Sequence, residues 1–104
     1  MVVARGELWW GESEHDKGRP FLVVSRDQAN AVMRRVLVAP VTRTVRGVPS
    51  ELRLGPDDGL PVESAASFDN VRPFEKAMLV RRLGRLSPLR QRQLCAVINA
   101  TFDC

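Results

Sequence analysis

Two unbroken apolar runs constrain this chain more than any other feature: Phe21-Leu22-Val23-Val24 and Val36-Leu37-Val38-Ala39-Pro40-Val41. The first is too short for a stable helix, rich in β-formers and bounded by glycine and serine, which predicts a strand covered on both faces; the second is a further continuous apolar strand run. The first run is entered through Gly18-Arg19-Pro20. Proline lacks an N–H and confines the residue before it to extended conformations, so Arg19 is expected to point in a narrow range of directions at the mouth of a sheet. A guanidinium positioned there invites an anionic ligand. In the second run Pro40 argues for a sheet edge, a bulge or the end of the strand, and so for a Thr42 re-aimed outward.

The remaining segments fit around these two. Arg5 to Trp10 alternates after its glycine, placing Leu8 and Trp10 on one face and Glu7 and Trp9 on the other. Gly11 to Gly18 reads as a polar, mobile loop, and Arg26 to Asn30 as a turn or a single helical turn. An exposed basic loop with Arg43 and Arg46 precedes a short strand over 51–54, a turn over 55–59 and a strand over 64–68. Asp69 to Pro73 reads as a polar turn, and 79–86 as a strand with one exposed face. Ser87-Pro88 has the chemistry of a helix start, and Leu94, Val97, Ile98, Thr101 and Phe102 then form one stripe. The expected fold is mostly β with α: a small SH3-like, partly closed barrel of mainly antiparallel strands, closed by a C-terminal amphipathic helix. With 104 residues the chain can build one compact core, so a single domain over 1–104 is expected.

Composition narrows the function classes. The formal net charge is +4, and arginine supplies nearly all of the positive charge, which favours a polyanionic partner. A genome that favours arginine codons would give the same bias. No stretch approaches the length needed to cross a bilayer and the opening residues carry no long apolar region, so a cytoplasmic protein is expected. Cys95 and Cys104 lack metal-ligand spacing and are too few for a disulfide scaffold, which predicts reduced, structural thiols. With one histidine and no Cys-x-x-Cys there is no credible zinc site, and no cofactor is expected. Neither a Gly-x-Ser-x-Gly nucleophile motif nor a phosphate-cradling glycine motif occurs.

What remains is a set of positioned donors, Arg19, Thr42, His15 and the turn Asp69-Asn70-Val71-Arg72. Such a set can perform one reaction without a metal, because RNA brings its own nucleophile. A 2′-hydroxyl attacks the adjacent phosphodiester once a base removes its proton, leaving a 2′,3′-cyclic phosphate and a 5′-hydroxyl. The protein need only place a base, an acid and cationic donors around the phosphorane.

Arg5-Gly6-Glu7-Leu8-Trp9, Gly18-Arg19-Pro20 running into Val23-Val24-Ser25, Ala39-Pro40-Val41-Thr42, Asp69-Asn70-Val71-Arg72 and Leu83-Gly84-Arg85-Leu86-Ser87 occur in that order. The series resembles the ordered motifs of the MazF/PemK/Kid toxins across almost the whole chain. The resemblance implies a CcdB/MazF-like barrel, a homodimer, endoribonuclease activity on single-stranded RNA, and restraint by a cognate MazE-like antitoxin with an acidic tail. It makes Arg19 the phosphate-stabilising arginine, Thr42 the active-site hydroxyl and Asp69 the acidic position near the base or acid. Ser13-Glu14 resembles the family's Ser-Glu-Gln loop, with His15 standing where glutamine is usual, and Ser67 stands where some members carry arginine. His15 and Asp69 are both candidates for the base, and Ser13, Glu14, Lys17, Arg43, Arg46 and Arg72 are candidate RNA contacts. Two rivals share these features in part: a CcdB-like toxin that poisons gyrase, and a non-catalytic small-barrel RNA-binding module.

Overall fold

A computed structural model describes residues 2–15 and 17–102. Seven strands and two α-helices follow in the order β1 (Glu7–Gly11), β2 (Arg19–Val23), α1 (Asp27–Val32), β3 (Arg35–Thr42), β4 (Glu51–Leu54), β5 (Ser64–Ser67), β6 (Arg72–Glu75), β7 (Leu79–Arg85) and α2 (Pro88–Phe102). All pairings are antiparallel, in the spatial order β4-β5-β3-β2-β1-β7, with β6 added to β3. This is the expected partly closed barrel with its C-terminal helix.

The first apolar run is a strand buried on two sides; in the second, Val36 and residues 38–41 are buried but Leu37 is 43% exposed. Along β2, Leu22 and the following Val24 face one apolar cluster with Leu8, Phe68 and Leu94, whereas Phe21 and Val23 face a second with Val36, Val38 and Phe74. The two clusters explain why β2 reads as continuous rather than alternating. Helix α2 covers the first cluster through Leu94, fully buried, with Val97 and Ile98 packed beside it. Phe102 falls off the stripe and is exposed. Cys95 is exposed as well, so its thiol has no place in the core, and Cys104 lies outside the described residues. The Ser87 Oγ accepts the Arg90 N–H at 3.3 Å, the expected helix cap. Ser87→Ala is expected to cost about 1 kcal/mol, read as a lowered thermal midpoint with an unchanged fold.

The prolines sit where ladders break. Val24 N–H donates to the Leu37 carbonyl, so even-numbered residues of β2 and odd-numbered residues of β3 direct their backbone groups at one another. Pro20 is the second residue of β2, one position before its ladder to β3 begins at the Phe21–Pro40 pair. Pro40 turns its missing N–H to the other side of β3. There residues 35–38 pair with β6 and residues 41–42 pair with β5. Pro40 thus lies in the changeover between two partners, which is how a central strand tolerates it.

Two further local readings change in the structure, and one buried charge comes to light. Residues 69–73 are not one turn: a 3-10 turn over Phe68–Asn70 leads directly into β6. Register shifts on either side of the Trp9–Arg82 and Trp10–Arg81 pairs break the alternation of β7, leaving Val80 exposed. Glu7 is buried, its carboxylate accepting from the Ala4 N–H, Trp9 Nε1 and Arg82 Nη1 at 2.7, 3.1 and 3.0 Å. Three donors satisfy the buried charge and tie β1 to β7.

Candidate active site

Arg19 opens β2 and Thr42 closes β3, so the ladder breaks just described bring their side chains to one place on the surface. Before Arg19 the backbone of Gly18 takes φ +107°, and a Cβ there would stand 2.8 Å from the Trp10 ring. Only glycine permits that approach, and it sets the direction in which the chain delivers Arg19. The Arg19 side chain is exposed, and no described carboxylate forms an ion pair with it. Thr42 is half-buried, and its Oγ1 accepts the Thr44 N–H at 3.1 Å. With a lone pair so occupied, the hydroxyl proton is directed elsewhere, and Thr42 is set up as a donor.

Two clefts meet on this pair. The wider, about 500 Å³, is walled by Trp10, Leu60, Pro61, Val62, Arg81 and Leu83, and also reaches Arg43. A narrower one, about 200 Å³, is polar and is lined by Arg46, Glu51, Ser67 and Asn70. Arg19, Thr42 and Thr44 line both. Glu51 fixes the basic loop between β3 and β4, since its Oε1 accepts the backbone N–H groups of Arg46 and Gly47, each at 3.0 Å.

Of the sequence-derived candidates, Arg19, Thr42, Arg43 and Arg46 are brought together. Asp69 is exposed on the 3-10 turn between Ser67 and Asn70's flank of the narrow cleft, and its Oδ2 accepts the Ser50 hydroxyl at 2.6 Å. It does not line either cleft itself. Ser13, Glu14, His15 and Lys17 belong to the loop joining β1 and β2 and are likewise absent from both linings. Arg72 stacks on the core, its guanidinium carbon 5.5 Å from the Phe21 ring centroid. Reading the sequence missed Thr44 and Glu51, and it named Asn70 only as part of its turn. Thr44 alone had a signal, lying two residues beyond Thr42 as the next outward position of an extended strand.

A cleft at the start of α2 also carries arginines, but Arg90 is engaged there by Asp58 at 3.5 Å and by the Arg53 carbonyl. It is a structural ion pair that holds α2 to the turn after β4. Among the described residues, no three His, Cys, Asp or Glu side chains converge to hold a metal ion, and no helix is long and apolar enough to cross a membrane.

The chain is a small antiparallel barrel whose strand ends present, on a bifurcated cleft, an arginine with no ion-pair partner among the described residues and a hydroxyl beside it, an arrangement chemically suited to an anion. The chain belongs to the PemK-like, MazF-like toxins of type II toxin-antitoxin systems, whose family model matches residues 4–102. It is 46% identical over 104 residues to a Mycobacterium tuberculosis protein named probable endoribonuclease MazF5, covering 99% of this chain and 95% of that one. A second relative from M. tuberculosis, probable endoribonuclease MazF2, is 36% identical, with 98% and 100% covered. Among solved structures, M. tuberculosis toxin MazF-mt6 superposes with a TM-score of 0.84 at 31% identity, covering 93% of this chain and 96% of its own.

Proposed function

We propose that this chain is a single-domain, metal-independent endoribonuclease that cuts single-stranded RNA at selected sequences, the toxin of a toxin-antitoxin module, acting as a homodimer in the cytoplasm and restrained by a cognate antitoxin. Family membership and relatives named as endoribonucleases support the activity and the module. The observation that carries the chemistry is the convergence of Arg19 and Thr42 from two strands onto one shared wall, with no described carboxylate paired to the guanidinium.

In this reading the scissile phosphate rests on that wall. A base takes the proton of the 2′-hydroxyl, the O2′–P bond forms, and the P–O5′ bond breaks as an acid protonates the departing oxygen. Arg19 directs two N–H groups at the non-bridging oxygens, where charge builds in the phosphorane, and Thr42 donates its hydroxyl to the same group. No water is consumed. Asp69, held by Ser50 beside the narrow cleft, takes the role of base, with His15 as the competing candidate. Arg43 and Arg46 contribute phosphate contacts along the strand.

Purified protein incubated with a long RNA in EDTA is expected to give discrete fragments ending in 2′,3′-cyclic phosphate. Activity lost to the chelator and restored by a divalent ion would overturn the metal-independent route. Binding without cutting would leave an RNA-binding module, and inhibition of gyrase with intact RNA would point to the CcdB-like alternative.

A further inference from the structure

The two clefts differ in chemistry, and that difference goes beyond a phosphate site. On the narrow side a carboxamide, a hydroxyl, a carboxylate and a guanidinium offer hydrogen-bonding groups. On the wide side an indole, a proline ring and aliphatic side chains stand beside the guanidinium of Arg81, with Arg43 and Ser64 also on the lining. The polar groups on that side are already engaged in part. Trp10 Nε1 donates to Glu12 at 3.0 Å, and the Ser64 hydroxyl donates to the Val62 carbonyl at 3.0 Å. What Trp10 presents to the cleft is therefore ring carbon. Arg81 sits directly across the β1–β7 ladder from Trp10, and the register shifts on both sides re-aim this pair relative to the rest of the sheet. Val62, on the loop before β5, leaves 40% of its surface exposed at the rim.

We infer that the wide cleft is a subsite for one unstacked nucleobase next to the phosphate held by Arg19 and Thr42, gripped by its faces between Trp10, Val62 and Arg81. The inference rests on the RNA-cleavage reading for its substrate class. Every base has a π face, so aromatic and guanidinium surfaces bind bases without selecting among them. Continuity with the shared wall supplies the occupant: a strand whose phosphate lies on Arg19 must send the flanking bases somewhere, and the wide side offers the flat faces of Trp10 and Arg81 and the apolar Val62 to receive one. The wide cleft accordingly supplies affinity, and the narrow one supplies base identity.

The test separates bases from phosphates and needs no cleavage. Binding is measured for 2′-O-methyl heptamers of uridine, adenosine and cytidine, which cannot be cut, and for a heptamer of abasic 2′-O-methyl sugar phosphate with the same charge. The wild-type protein is expected to prefer each base-bearing strand by about tenfold over the abasic one. Val62→Ser should shrink that preference to about threefold or less, equally for the three bases, while leaving affinity for the abasic strand unchanged; Trp10→Leu should shrink it likewise, read as the ratio of base-bearing to abasic affinity because the indole also packs against Gly18 ahead of Arg19. A preference that survives in both variants overturns the inference. Should Trp10→Leu fail to fold, Val62→Ser decides alone, because its exposed side chain supports no core contact. A Val62-dependent preference in a protein that cuts no RNA would keep the subsite and remove the nuclease reading. Cutting with the preference intact in Val62→Ser would do the opposite. Loss of antitoxin binding in Val62→Ser with base preference unchanged would assign the cleft to a protein side chain.

Discussion

Replacing Arg19 by lysine is expected to lower kcat/KM for RNA cleavage by about 2 to 4 kcal/mol of transition-state stabilisation, with little change in thermal midpoint. The charge survives this substitution, so the loss isolates geometry. A guanidinium offers two parallel N–H donors to two phosphoryl oxygens, whereas an ammonium offers one point of contact on a flexible stem. The fold is expected to be indifferent, because the Arg19 side chain is exposed and forms no ion pair with a described residue. Single-turnover cleavage of a mapped RNA, beside a melting curve, gives both readouts. Near wild-type turnover in Arg19→Lys would take Arg19 out of the chemistry.

A larger loss is expected when Asp69 becomes asparagine: about 10² to 10⁴ in rate, with RNA affinity retained. Asparagine keeps the size of the side chain and an oxygen able to accept the Ser50 hydroxyl, so the 3-10 turn between β5 and β6 should hold. What it removes is the capacity to take a proton. His15→Gln, which restores the residue usual in the family, is expected to leave the rate within about tenfold. The His15 and Asp69 side chains are both exposed and line neither cleft, but Asp69 stands between Phe68, which is anchored in the core, and Asn70, which lines the narrow cleft. The opposite pattern, with His15→Gln nearly inactive and Asp69→Asn close to wild type, would move proton abstraction to the histidine.

The strands that carry the site were legible because burial on both faces leaves a signal that needs no partner: four apolar residues in a row at Phe21 to Val24 cannot be satisfied at a surface. Ser87-Pro88 was equally local, since a helix start is written in the residues that cap it. Strand β6 was hidden because Arg72-Pro73-Phe74-Glu75 buries only Phe74 and owes its extended form to pairing with residues 35–38, a long-range event with little local trace. The buried Glu7 was hidden for a similar reason. Its burial depends on Arg82, 75 residues away, and on a turn of chain that brings the Ala4 N–H to it. At the site, Arg19 stood out as the charged residue that opens an apolar run behind a proline, whereas Thr42 was marked mainly by the family resemblance. The narrow cleft's Glu51 and Asn70 come from separate segments that only the β3 changeover brings alongside, and no pattern in the sequence joins them.

That changeover at Pro40 has a consequence for how such a protein can vary. Where β3 leaves β6 and has not yet joined β5, no inter-strand hydrogen bond depends on which side chains stand nearby. Arg46, Ser67 and Asn70 border this seam from a loop, a strand end and a turn, and each is at least partly exposed. Substitutions here trade one surface chemistry for another while both apolar clusters stay closed. The scaffold can therefore drift in what it recognises without passing through an unfolded intermediate, and a copy that has lost its chemistry keeps the shape of an active one.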